Sequence, residues 1–153
     1  MLFGVIGGDR RQAELLKLLR QDGYQAAAYG TAGEMDWERA VSAEVVVLPL
    51  PLCREGDTIN IEGEQRGIGA LLRQMRRNQL LLAGQVKPAQ AAEAAELDLN
   101  LIDYFKREEL TVANAAATAE GTVQVILERL ERSLLGSRCL VLGFGRIGKL
   151  LCH

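Results

Sequence analysis

Short apolar runs alternate with helical segments along most of this chain, and that alternation limits the fold more than any other feature. "LFGVIG" opens the sequence as an apolar run. "GDRRQAELLKLLRQDG" follows, with Leu15, Leu16, Leu18 and Leu19 at helical spacing, Asp9 placed to cap the helix and Gly23 to end it. "YQAAAYG" reads as a second strand and "GEMDWERAVS" as a short helix. "AEVVVLPL" is a buried strand closed by Pro49. Beyond a polar stretch come "IGALLRQMRRN" as helix, "QLLLAG" as strand, "KPAQAAEAAELD" as helix with Pro88 in its first turn, and "LNLIDYF" as strand. Five strands alternating with helices predict an α/β fold, an open parallel five-stranded sheet covered on both faces.

The polar stretch "PLPLCREGDTINIEGEQRGIG" is long for a loop inside a compact domain, which is the usual mark of a binding loop or lid, and "TINI" within it suits a small hairpin arm. From Ala113 to Leu135 the pattern is that of a long helix, with Val123, Ile126, Leu127, Leu130 and Leu134 on one face and Gly136 placed as its C-terminal cap. "SRCLVLG" then reads as a sixth strand. The expected organisation is a domain over residues 1–112, a linking helix over 113–136, and the opening of a second domain over 137–153.

Composition excludes several classes of function. A net charge of −2 leaves no basic footprint for nucleic acid, and the arginines of "RQMRRN" read as a solvated helix face. No apolar run approaches the roughly 20 residues of a membrane span, and the N-terminus lacks the pattern of a signal peptide. Cys53, Cys139 and Cys152 form neither a zinc pattern nor a disulfide framework, which fits a reducing cytoplasm. His153 is the single histidine, so a histidine-based triad or metal site is not expected, and no metal is assigned.

Gly143-Phe144-Gly145-Arg146-Ile147-Gly148 matches G-x-G-x-x-G between "CLVL" and the helical "IGKLL". The first glycine allows a tight turn, the second a close approach of backbone to a pyrophosphate, and the third close packing of the helix. Gly143, Gly145, Arg146, Ile147 and Gly148 are therefore the candidate cofactor-binding residues. The acidic residue that reads the ribose about 20 positions further on lies beyond His153, so the pattern does not separate NAD from NADP. The expectation is a chain cut soon after the cofactor turn begins and inactive alone.

In an open parallel sheet, ligands sit beyond the carboxyl ends of the strands, where the strand order reverses. An order of 2-1-3-4-5 would gather there "GGDRRQ", "PLPLCREGD" and "AGQVK". Gly7 and Gly8 open backbone space, and Arg10 and Arg11 carry the charge and fork geometry that pair with carboxylates. Asp9 has a plain structural alternative as a helix cap. In "NAAATAEG", Thr118 and Glu120 interrupt an alanine run, and Gly121 carries a cost of about 1 kcal/mol against Ala within a helix, tolerated for close packing or for a ligand.

Taken in order and spacing, "GVIGGDRRQ", "VVVLPL", "NAAATAEGT" and "GSRCLVLGFGRIGK" resemble the A subunits of dipicolinate synthases along the whole chain. More distantly, "TAEG" followed by a glycine turn is similar to D-2-hydroxyacid dehydrogenases and adenosylhomocysteine hydrolase. The resemblance implies a flavodoxin-like substrate-side domain, a long linking helix and the start of a Rossmann domain. It also implies NAD(P)-dependent oxidation of a dihydrodipicolinate-type cyclic dicarboxylate to pyridine-2,6-dicarboxylate, with NADP slightly favoured. The setting would be the mother-cell cytoplasm during sporulation, with a separate dipicolinate synthase B subunit as partner; a homo-oligomer is expected. Positions that match the family are Gly7, Gly8, Asp9, Arg11 and Gln12 in the first loop, Pro49 after the third strand, and Asn114, Thr118, Glu120 and Gly121 on the linking helix. Of these, Gly8, Asp9, Arg11, Pro49, Asn114 and Thr118 are the candidate substrate-binding residues and Glu120 the candidate proton acceptor. The rival readings are an oxidoreductase acting on another small acid and a non-catalytic docking or dimerisation module.

Overall fold

The computed structural model describes all residues from Met1 to His153, which form two compact units, Met1–Lys106 and Arg107–His153.

The first unit is built on one sheet. Its strands are β1 (Leu2–Ile6), β2 (Gln25–Thr31), β3 (Glu34–Met35), β4 (Val45–Val47), β5 (Leu80–Ala83) and β6 (Asn100–Asp103), in the order β3-β2-β1-β4-β5-β6. All pairs are parallel except β2 with β3. The five parallel strands have the expected order. The sixth, β3, is a two-residue hairpin return that sequence reading does not separate from the helix after it. Its turn places Ala32 at φ 53° and Gly33 at φ 75°, the left-handed pair of a type I′ turn, carried here by Ala-Gly instead of the usual Asn-Gly.

Period-two alternation sorts the strand side chains onto two faces. Ile6, Ala27, Tyr29, Val46, Leu48 and Leu81 face one way. They pack under α2 (Trp37–Val41), α3 (Ile68–Leu72) and α4 (Pro88–Glu96). Gly4 lets α2 lie this close, since a Cβ there would fall 1.9 Å from the Ala40 carbonyl oxygen. Val5, Ala26 and Ala28 face the other way, against Leu16 of α1 (Arg10–Gln21). Asp9 caps α1 as expected, and Gln12 answers with its side chain on the Asp9 N–H, completing a capping box. Helix α3 is much shorter than "IGALLRQMRRN" suggests. Its basic end is spent on surface pairs, Arg73 with Glu93 and Arg77 with Asp98.

The polar segment between β4 and α3 is neither a lid nor a free loop. Leu52, Ile59 and Ile61 are buried in the main core, and two isolated bridges, Cys53 with Ile59 and Thr58 with Gly67, give it the hairpin-like form expected of "TINI". Its backbone is stitched across the carboxyl ends of the strands. Gly8 N–H donates to Asn60 O at 2.7 Å, Asn60 N–H to Leu52 O at 2.9 Å, and Leu52 N–H to Gly84 O at 2.8 Å. Arg66 lies 3.8 Å over the Trp37 ring and Glu64 accepts from the Tyr29 hydroxyl, anchoring the far end. The segment is a strap.

In the second unit, α5 runs Glu108–Arg129, starting and ending earlier than the expected 113–135. Glu108 and Glu109 sit in its first turn, where the helix dipole favours them. Leu130 is the C-cap, so Gly136 belongs to a later turn and caps nothing in α5. Ala115 and Ala119 are its buried residues, whereas Leu127 of the expected apolar face is exposed. "SRCLVLG" forms no strand. A strand exists only by hydrogen bonding to a neighbour, and the second unit is otherwise helical, so Leu140 and Leu142 stay open to solvent. The helix after the glycine turn does form, as α6 (Arg146–Leu151).

Candidate functional site

The loops that follow β1 and β4 meet at the carboxyl ends of those neighbouring strands, and four of the candidate residues sit there. Gly8 is held by its bond to Asn60. The Asp9 carboxylate accepts from the Arg11 backbone N–H at 2.9 Å and from the Arg11 guanidinium at 2.8 Å. Arg11 Nη2 also donates to the Leu50 carbonyl at 2.7 Å, which clamps the first loop to the one after β4. Pro49 lies beneath, its Cγ 3.2 Å from where a Cβ on Gly7 would sit. The hydrogen bonds from Arg11 hold the Asp9 carboxyl below the usual carboxylate range, so it is ionised and supplies its own anion to the start of α1. An external carboxylate at that helix start therefore competes with Asp9, a constraint absent from the sequence reading.

Two residues that sequence reading does not single out complete this end of the sheet. Tyr104 follows β6 directly and donates to the Leu48 carbonyl at 3.3 Å. Burial pushes its hydroxyl up to about 12, so it is a neutral donor at any physiological pH. Asn60, buried in the strap, accepts from Arg54 Nε and so fixes that guanidinium. The rule that ligands gather beyond strand ends points to Tyr104 from its place after "LNLID"; nothing in "TINI" distinguishes Asn60. Cys53 is buried with Gln90 donating to its sulfur at 3.2 Å, and burial pushes the thiol up, which leaves it protonated and a poor nucleophile.

The remaining candidates belong to the second unit. Asn114, Thr118 and Glu120 are exposed on α5. Thr118 Oγ1 donates to the Asn114 carbonyl at 2.7 Å, one turn back along the same helix. Glu120 borders a cavity of about 400 Å³ lined also by Ala116, Ala119, Val123 and Leu150. A Cβ on Gly121 would meet nothing within 4 Å beyond its own stretch of helix, so close packing in the second unit does not explain this glycine.

The three glycines of the turn differ in what they do. Gly143 has φ 107°, a conformation that disfavours any side chain. Gly148 is buried, and a Cβ there would lie 2.1 Å from the Gly143 carbonyl oxygen, so it packs helix start against turn. Gly145 has neither constraint: nothing lies within 4 Å of its Cβ position. Open space at the second glycine, beside the unpaired N–H groups of the first turn of α6, fits the pyrophosphate of a dinucleotide. Ile147 is partly exposed, and Arg146 Nε is committed to Glu108 at 3.1 Å.

Residues 2–105 match the family described as the N-terminal domain of the dipicolinate synthase A subunit, a span that ends with the first compact unit. The dipicolinate synthase A subunit of Bacillus subtilis (strain 168) is 24% identical over 163 residues, an alignment that takes in 95% of this chain and 54% of that protein. The crystal structure of the Bacillus subtilis A chain superposes with a TM-score of 0.71 at 20% identity, over 99% of this chain and 55% of the other. That of the A subunit from Bacillus halodurans gives 0.74 at 19% identity, over 98% and 56%. The chain thus spans about half the length of the relatives it matches. By the match over its first unit, the chain belongs to the family of dipicolinate synthase A-subunit N-terminal domains.

Proposed function

We propose that this chain forms the substrate side of a dipicolinate synthase A subunit, one that oxidises a dihydrodipicolinate-type cyclic dicarboxylate to pyridine-2,6-dicarboxylate with NAD(P), NADP being slightly favoured. The observation that carries the reading is the clustering of the family-matching residues Gly8, Asp9, Arg11 and Pro49 at the carboxyl ends of β1 and β4. Arg11 holds the two loops together through Asp9 and the Leu50 carbonyl, and so shapes the substrate-binding surface without spending its charge on the substrate. Asn114 and Thr118 supply further polar contacts to the substrate.

The ring becomes aromatic as it loses a hydride and a proton, so the protein's work is chiefly orientation. NAD(P) bound at Gly143, Gly145, Arg146, Ile147 and Gly148 would accept the hydride. Glu120, exposed on α5, is the proposed acceptor of the proton. The dipicolinate synthase B subunit is the proposed partner, the A chains form a homo-oligomer, and the work takes place in the mother-cell cytoplasm during sporulation. No helix is long and apolar enough to cross a membrane.

Turnover tests the reading. The chain joined to a complete nucleotide-binding domain is given the dihydrodipicolinate-type substrate with NADP or NAD, with and without the B subunit. Formation of pyridine-2,6-dicarboxylate supports the proposal. An assembly that binds nucleotide but forms no product overturns it.

A further inference from the structure

Beside the Asp9–Arg11 pair the first unit holds a cleft of about 590 Å³, bounded by Gly8, Arg10, Gly30, Arg54 and Glu62. That volume suits a small-molecule site. It opens between the loops after β1 and β2, and the strap, which crosses the strand ends from Gly84 to Gly8, reaches its edge at Ile61. Ile61 lies so close that a Cβ on Gly7 would come within 2.7 Å of it and one on Gly30 within 2.5 Å.

The charges around this cleft divide into two sets. Asp9 and Glu34 line it, yet each is already neutralised from outside, Asp9 by Arg11 at 2.8 Å and Glu34 by Arg20 at 2.6 Å. Arg10, Arg54 and Glu62 have no ionic partner. Arg54 is nonetheless fixed in direction, because buried Asn60 holds its Nε and leaves both terminal nitrogens to point away from that bond. Two cations and one carboxylate facing a single cleft ask for a ligand with two carboxylates and one N–H-bearing centre.

Building on the dipicolinate synthase reading, we propose that this cleft recognises a cyclic imino dicarboxylate, with Arg54 and Arg10 taking the two carboxylates and Glu62 accepting a hydrogen bond from the ring N–H. A ring nitrogen that still bears hydrogen is attracted to Glu62. An aromatic pyridine nitrogen offers only a lone pair and is repelled. The site therefore favours the reduced ring over the aromatic one, which assists release of the product. Arg10 and Arg54 read carboxylates here, while Arg11 is spent largely on Asp9 and Leu50.

The test is calorimetric titration of the 153-residue chain with piperidine-2,6-dicarboxylate and pyridine-2,6-dicarboxylate, in the wild type, Arg54→Gln, Arg54→Lys and Glu62→Gln. All three substitutions are at exposed positions, and circular dichroism checks that each variant folds. The saturated acid should bind more tightly than the aromatic one. Arg54→Gln should weaken both about tenfold or more, as expected for loss of a charge-assisted hydrogen-bonded pair, and Arg54→Lys should recover part of that. Glu62→Gln should remove the preference between the two rings. Binding to the wild type that Arg54→Gln leaves unchanged overturns the cleft and leaves the dicarboxylate reading standing. A preference that survives Glu62→Gln overturns the role of Glu62. Arg54-dependent binding of piperidine-2-carboxylate, as tight as that of the dicarboxylate, keeps the cleft and overturns the dicarboxylate reading. No binding of any of these acids overturns the cleft.

Discussion

Replacing Ile61 with Ala should loosen the strap and cost the first unit about 3–4 kcal/mol. The side chain is 2% exposed. Removing its three outer carbons forfeits about 0.8 kcal/mol of burial each, or roughly 2.4 kcal/mol in all. A cavity cost adds to this wherever the surroundings cannot collapse. They cannot collapse here, because the residues beneath Ile61 are Gly7 and Gly30, which have no side chains to move into the gap. Urea unfolding followed by fluorescence of Trp37, the single tryptophan, reports the first unit without contribution from the second. The Arg66 guanidinium stacked 3.8 Å over that ring makes the signal sensitive to the strap itself. Leu18→Ala on α1 serves as control; Leu18 is 48% exposed and should lose well under about 1 kcal/mol. A loss below about 1 kcal/mol for Ile61→Ala would refute the reasoning, since it would mean that the segment between β4 and α3 behaves as a lid and not as part of the core.

Three further outcomes are expected. Asp9→Ala should cost about 1 kcal/mol through the lost cap, whereas Asp9→Ser should retain nearly all stability while releasing the Arg11 guanidinium; equal losses in chemical denaturation would count against separate capping and charge roles. Gly148→Ala should disrupt the turn, with its Cβ meeting the Gly143 carbonyl, while Gly145→Ala leaves far-ultraviolet circular dichroism and amide NMR shifts around the turn unchanged; comparable disruption by both would remove the argument that Gly145 is kept open for a ligand. One of the three tyrosines should ionise at about 12 in a spectrophotometric titration and should be lost from that position in Tyr104→Phe. Because the Tyr104 value is raised in the folded state, its contribution to stability is complete below the unfolded value of about 10 and disappears as pH rises from there toward 12; stability that stays flat across that window would contradict the burial.

The parallel sheet is legible because its strands are apolar on both faces and its helices begin and end with local signals. Asp9 and Gly23 act through bonds to residues within a few positions and Pro88 through its own fixed φ, and such signals survive in a linear reading. The failures have a common physical cause, since they depend on partners distant in sequence. "SRCLVLG" has the composition of a strand and is none, since a ladder needs a second strand to accept its hydrogen bonds. Hairpin strand β3 escapes notice because Ala32 adopts a left-handed conformation more typical of Gly or Asn.

The candidate site divides along the same line. Gly8, Asp9, Arg11 and Pro49 can be found because the position of a loop after a strand is itself a local property. What surrounds them is not local. The strap lays its own Leu52 and Asn60 across the strand ends, and it stays there because Ile61, buried against Gly7 and Gly30, gains more than it would in water. In the proposed cleft the unpaired charges carry the recognition of an acid. Arg11 is tied down by Asp9 and Leu50, so the choice falls to Arg10 and Arg54. A loop that composition marks as a lid or binding loop thus acts as a wall across the strand ends, and its exposed Arg54 and Glu62 belong to the cleft beside it.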